Sequence, residues 1–398
     1  MLSNVKILVT GIAGYSHLVP FVLPAASALR AAGHDVTVAV PADGRDIVAG
    51  YGLDVLALDG IPTMAQIATD PALGEDDFSV RDYVPPAEPY PFTGFTAAAP
   101  RRSARAFIGV IGHRGAGALI ERLSGDVPDL IVRDNTEFGG YLAAEVLGCP
   151  QLPLEVAPMF DASLPGVLDV LNEVRSLHGL PPAAAATEGP RIAQTPLDFY
   201  PPEQHVPGIH CFRPGPRTFA PLDPAIADLP ADRPLVLVSL GSVAPSLGAA
   251  TDLVDRIVEA LGSLDVYAVV ATGGHEVRTP PPNVVLTDFV DQQTVLNTCD
   301  AFITHGGFNG VREALQSGVP MVLLPLFGDH PLNSVQADRL GTGIVLDPWT
   351  VTAGELAAAT EKVLADPSYG RNARRFARRS QALPELATFP ERLPEILG

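Results

Sequence analysis

A histidine followed by two glycines, His305-Gly306-Gly307, lies between a short apolar run and a helical pattern, and the next apolar run ends in the pair Asp329-His330. Two glycines in such a turn let the backbone pass close to a ligand, and the N-terminus of the following helix attracts anions. His305 adds a side-chain donor at the same edge. Asp329 brings a carboxylate to the C-terminal end of the sheet, where parallel α/β sheets bind their ligands. The chemistry that suits this set is a diphosphate cradle with a hydroxyl-reading acid beside it. A further histidine, His17, closes the loop Gly11-Ile12-Ala13-Gly14-Tyr15-Ser16-His17 after the first apolar run. That loop is glycine-rich but lacks the spacing of a dinucleotide-binding turn.

These residues need strands and helices to carry them. Strands are expected at 5–9 and 36–40 around a helix at 19–32 that stops at Gly33, so the chain opens as β-α-β and implies a parallel sheet. Further strands are expected at 129–133, ending at Asp134, and at 151–156, with helices at 104–123 and 137–147. The second half repeats the rhythm, with strands at 235–240, 266–271, 284–286, 301–304, 321–326 and 343–346 and helices at 252–261, 308–316, 354–365 and 368–381. Residues 213–234, dense in proline and polar side chains, read as a linker. Residues 61–100 break the pattern with prolines, glycines, acids and aromatics, and read as a long binding loop or lid. The last long helix carries Arg371, Arg374, Arg375, Arg378 and Arg379, which read as a solvated or domain-bridging face.

Composition narrows the classes. A chain of 398 residues, 47% hydrophobic and 18% charged, is globular and long enough for two domains. Its net charge of −19 argues against nucleic acid or an anionic membrane as the partner. A diphosphate must then be held by local dipoles and a few cations. Three scattered cysteines, Cys149, Cys211 and Cys299, form no disulfide framework or zinc pattern and suit a reducing compartment. With no basic-then-apolar leader and no membrane-length run, the expected location is the cytoplasm.

The order His305, Gly306, Gly307, Phe308, Asn309, Glu313, Gly318-Val319-Pro320, Pro325, Asp329 closely resembles the nucleotide-sugar signature of glycosyltransferase family 1. The resemblance covers the whole chain and is strongest over 235–343. It implies the GT-B fold, an α/β architecture of two Rossmann-like, doubly wound parallel-sheet domains facing each other across a cleft. On that pattern residues 1–215 are the acceptor-binding domain, 216–232 the linker and 233–375 the nucleotide-sugar donor domain, with a C-terminal helix at 376–398 crossing back onto the first domain. The implied reaction is inverting transfer of a hexose from a nucleotide sugar to a hydroxyl of a lipophilic small molecule, such as a polyketide, macrolide or aromatic aglycone. The abundance of arginine and alanine beside so few lysines looks like a high-GC bacterial genome, where such tailoring enzymes are frequent.

The resemblance also assigns roles. His17 matches the family's catalytic base and Asp134 its partner acid, and an imidazole of near-neutral pKa suits proton abstraction. On the donor side, Phe289 matches the aromatic that stacks on the nucleobase, Val290 offers its backbone to the base edge, and Gln292 follows. His305, Gly307, Asn309 and Gly310, with Gly241 and Ser242 after another strand, match the diphosphate contacts. Glu313 matches the ribose-binding acid and Asp329 the sugar-reading acid, with His330 beside it. Ser16, Tyr83, Tyr90, Phe92 and Phe95 are candidate acceptor contacts. Helix dipoles and His305 stand where other enzymes use a metal, so no metal or cofactor is expected beyond the nucleotide-sugar co-substrate, UDP- or TDP-hexose. Two positions depart from the pattern: Gly310 stands where plant-type members have serine, and His330 where the family usually has glutamine. Glu313 favours a ribose with both hydroxyls, hence UDP over TDP, and Asp329 a sugar such as glucose. Transfer to carbon, a GT-B nucleotide-sugar epimerase or hydrolase, and a non-catalytic partner keeping the fold remain alternatives. The expected partners are the acceptor and the nucleotide sugar, with no nucleic acid or membrane, for a monomer or homodimer.

Overall fold

The computed structural model describes residues 5–69, 101, 103–156, 166–184, 189–202, 205, 207–215, 219–241, 251–277, 279–326 and 328–398. The chain divides into two compact units. The first comprises Met1–Leu197, Pro202–Gly215 and Leu383–Gly398, the second Asp198–Pro201 and Pro216–Ala382.

Unit one is built on a parallel sheet of seven strands: β1 (Lys6–Thr10), β2 (Asp35–Pro41), β3 (Asp54–Leu58), β4 (Leu130–Asp134), β5 (Gln151–Glu155), β6 (Arg191–Ala193) and β7 (Ile209–Cys211), in the order β3-β2-β1-β4-β5-β6-β7. Successive side chains of a strand point to opposite faces, and β1 divides accordingly. Ile7 and Val9 face one core with the helix Leu23–Ala31, closed by Leu386, Phe389, Leu393 and Ile396 from the end of the chain. Leu8 faces the other core, with Leu119 and Ala143 from the helices His113–Leu123 and Phe138–Leu147. Those two helices approach closely through glycine: a Cβ on Gly139 would sit 3.0 Å from the backbone of Gly115.

The helix after β1 differs from the expectation. Helical structure already begins at Tyr15–His17 and passes through a widened, π-type turn, Leu18–Val22, before becoming regular at Leu23–Ala31. Pro20 and Pro24 supply no N–H to the ladder, so the turn relaxes around them. His17 therefore stands on a helical turn rather than in a loop.

Unit two carries a parallel sheet of six strands: β8 (Leu235–Ser239), β9 (Tyr267–Ala271), β10 (Val284–Thr287), β11 (Ala301–Thr304), β12 (Met321–Leu323) and β13 (Gly343–Val345), in the order β10-β9-β8-β11-β12-β13. Its core joins Val236, Val238, Val270 and Ile303 of the sheet to Ile257, Leu356 and Val363 of the helices Thr251–Gly262 and Ala353–Ala365. The helix Pro367–Gln381 buries Ala373, Phe376 and Ser380 and exposes all five of its arginines. Arg379 pairs with Asp198 within the same unit. Among the described residues no helix is long and apolar enough to cross a membrane.

Both sheets reverse strand order at one place, between β1 and β4 in unit one and between β8 and β11 in unit two. At such a switch point the flanking connections leave in opposite directions and open a crevice beyond the strand ends.

Candidate functional site

Each switch point carries part of the sequence-derived site. In unit one, His17 follows β1 and Asp134 ends β4. Nδ1 of His17 lies 2.7 Å from Oδ2 of Asp134. Asp134 is wholly buried, whereas the His17 side chain keeps 20% of its surface exposed. A carboxylate accepts and does not donate, so Nδ1 carries the proton and Nε2 is left with its lone pair. That is the arrangement a general base needs. Ser16 is exposed beside it.

Two residues that sequence reasoning missed brace this pair. The backbone N–H and the hydroxyl of Thr136 both donate to Oδ1 of Asp134, at 2.8 and 2.7 Å. Glu137 accepts from the Thr10 hydroxyl at 2.5 Å and from the Gly140 N–H at 2.8 Å, tying the end of β1 to the start of the helix Phe138–Leu147. Burial pushes the Glu137 carboxyl above its ordinary range, against the lowering effect of those two donors. The available signal was local: an Asp two residues before a Thr at a strand end is a turn-forming pattern.

In unit two, His305 follows β11 and Gly241 follows β8. The backbone of Gly241 crosses the imidazole so closely that a Cβ there would lie 2.7 Å from Nε2. A Cβ on Gly307 would lie 2.5 Å from the same nitrogen. Glycine is required at both positions for the ring to sit between the two turns. Gly307 precedes the helix Phe308–Ser317, whose N-terminus no side chain caps, so its first N–H groups point to the strand ends. Burial pushes the His305 imidazole down to about 4, opposed by a hydrogen bond with the Ser239 backbone. His330 packs edge-on against it at 4.4 Å between ring centroids. Burial, and then the neighbouring His305, hold His330 well below the usual range. Both rings are neutral at physiological pH, so the turn offers hydrogen bonds and helix N–H groups rather than imidazolium charge.

The other donor-side candidates lie on neighbouring elements of the same unit. Gln292 donates to Glu313 at 2.8 Å. Phe289 is 81% exposed, an unusual state for a large apolar ring. Its carbonyl accepts from the Thr287 hydroxyl at 2.8 Å, which fixes the backbone leading to Val290. Asn309 accepts from Arg312 at 3.2 Å. Arg312, wholly buried, is a cation that the sequence reading passed over because it lies on the inward face of an ordinary helix. Asn333, also missed, donates both to the Gly306 carbonyl at 3.0 Å and to Oδ2 of Asp329 at 2.8 Å, joining the His305 turn to the Asp329 turn. Gly310 has a packing reason as well: a Cβ there would lie 3.1 Å from the Thr304 hydroxyl. Ser242, Tyr83, Tyr90, Phe92 and Phe95 lie outside the described residues.

Two doubly wound parallel sheets, each with its polar residues at the switch point, are the architecture of a GT-B glycosyltransferase. The comparisons agree. The family described as UDP-glucoronosyl and UDP-glucosyl transferase matches residues 193–384. UDP-glucuronosyltransferase 2A3 of Cavia porcellus is 31% identical over 188 residues, 46% of this chain but 34% of that protein. The chain thus spans about a third of the length of the curated glucuronosyltransferases it matches. Erythronolide mycarosyltransferase of Saccharopolyspora erythraea is 26% identical over 98% of both chains. Among solved structures, glycosyltransferase SnogD of Streptomyces nogalater superposes with a TM-score of 0.73 at 22% identity, covering 99% of this chain and all of that one. The glycosyltransferase of kitacinnamycin gives 0.77 at 22% identity, with the same coverage.

Proposed function

We propose that this chain is an inverting glycosyltransferase that moves a hexose from a nucleotide sugar to a hydroxyl of a lipophilic natural product. The observation that carries the reading is the His17–Asp134 pair at 2.7 Å at the switch point of unit one. Nε2 of His17 takes the proton of the acceptor hydroxyl, and Asp134 holds the ring and stabilises the imidazolium that forms. The acceptor oxygen then attacks the anomeric carbon as the bond to the diphosphate breaks. The uncapped N-terminus of the helix Phe308–Ser317, with His305, Asn309, Gly310, Gly241 and Ser242, receives the departing diphosphate. The exposed Phe289 ring stacks on the nucleobase, beside Val290. Glu313, held by Gln292, accepts from the ribose hydroxyls. Asp329, held by Asn333 at Oδ2, accepts from the sugar hydroxyls. The reaction, as proposed, uses no cofactor.

The preferred donor is UDP-glucose, on the strength of Glu313. A TDP-sugar is the second reading, because two glycosyltransferases of similar fold, VinC and SpnG, are described in complex with DTDP and with thymidine diphosphate. Calorimetric titration with UDP, TDP, UDP-glucose and TDP-glucose, with no metal added, separates them. The expected result is tighter binding of the uridine ligands, weakened about tenfold or more in His305→Ala through loss of a donor to a charged group. Tighter binding of the thymidine ligands would move the donor to the second reading. Binding of none of the four would overturn the proposal.

A further inference from the structure

A histidine–carboxylate pair works only if the carboxylate keeps one orientation, and here a single residue sets it. Asp134 is wholly buried at the end of β4. Its Oδ2 meets His17, while its Oδ1 accepts two hydrogen bonds from one neighbour, the N–H and the hydroxyl of Thr136. Two donors on one oxygen fix the rotation of the carboxylate about its last bond, because turning it would break both. The Thr136 hydroxyl also lies 3.5 Å from Nδ1 of His17, at the limit of hydrogen-bond reach. Thr136 is itself wholly buried, so no water stands ready to replace its hydroxyl. The turn behind it is clamped as well. The buried Arg133 guanidinium donates to the Asn135 carbonyl at 3.2 Å and to Gln151 at 2.7 Å. It packs over the rings of Phe138 and Tyr141.

We infer that Thr136 is the positioning residue of this dyad: its hydroxyl locks the Asp134 carboxylate so that the proton of His17 stays on Nδ1 and the ring presents Nε2 as the base. This rests on reading His17 as the base. Glu137, one residue on, braces the same turn through Thr10 and Gly140, but neither of those bonds reaches Asp134. The orientation of the carboxylate is therefore left to Thr136.

Thr136→Val keeps the shape, the β-branch and the backbone N–H, and removes only the hydroxyl. The first readout is the side-chain NMR spectrum of His17 near neutral pH, which needs no substrate. The second is turnover of UDP-glucose or TDP-glucose with a hydroxylated aromatic acceptor. In Thr136→Val the Nδ1–H resonance should shift or broaden and kcat should fall about tenfold, as for a catalytic group slightly misplaced, with the donor KM unchanged. Thr136→Ser should restore both. If Thr136→Val fails to fold, Thr136→Ala, which also keeps the backbone donor, is read in the same way. An unchanged resonance and unchanged kcat, or a loss of thermal stability with no change in the resonance, would overturn the inference. Full turnover by His17→Ala would instead overturn the reading of the base, so the two failures are told apart.

Discussion

The two units use the same device and differ in how they keep it stiff. In unit one the switch point holds a histidine against a buried carboxylate, and the ring is one-fifth exposed. In unit two the switch point holds a histidine against a second histidine, between two glycine turns. In the proposed reaction the first arrangement serves as a base with a fixed tautomer and the second as a neutral donor wall beside a helix N-terminus that no side chain caps. On that proposal, what separates abstracting a proton from receiving an anion is thus the partner placed behind the imidazole, since both rings lie beside a switch point, His17 after β1 and His305 after β11.

The stiffening differs too. The core of unit two comes from one continuous stretch of chain, whereas unit one borrows Leu386, Phe389, Leu393 and Ile396 from residues 383–398. Phe389 is wholly buried and meets the Phe212 ring at 6.3 Å. Phe389→Ala should therefore lower the stability of unit one by about 3–5 kcal/mol while leaving UDP binding by unit two intact. Thermal denaturation in parallel with nucleotide titration checks this. Equal loss in both would mean that the units do not hold together independently.

A smaller effect tests the neutral histidine pair. His305 and His330 titrate below their ordinary value of 6.5, His305 at about 4. The unfolded chain accepts protons at these rings that the folded chain refuses. Their contribution to stability is complete above 6.5 and is lost as pH falls towards about 4. Stability measured by chemical denaturation should decline across that window, and less steeply in His330→Gln. The same slope in the variant would mean that His330 is not held neutral by the fold.

The contrast between units also governs what could be read from sequence. All six strands of unit two were legible because each is an apolar, β-branched run bounded by turns; β8, β9, β10 and β13 differ from the expectation by one residue at one end, and β12 differs most, stopping at Leu323 rather than at residue 326. In unit one, β3, β6 and β7 went unread. β3 is half-buried along most of its length, so Asp54–Leu58 shows no clean alternation, and β6 and β7 are three residues each, too short for any period. The residues at the mouths of the sites were visible because glycine, histidine and acid at strand ends are rare combinations. Thr136, Arg312 and Asn333 were not, because they act through another residue's side chain and their types are ordinary for a turn or a helix. Only the folded geometry brings their donors to Asp134, Asn309 and Asp329.

The central claim is that the base and the donor-binding groups are separate, one in each unit. The most direct measurement compares wild type with His17→Ala, titrating each with UDP-glucose and assaying each for transfer to the same acceptor. The account predicts a loss of turnover of about a hundredfold or more with donor affinity unchanged. A variant that loses donor binding in step with turnover, or that keeps its turnover, would contradict it.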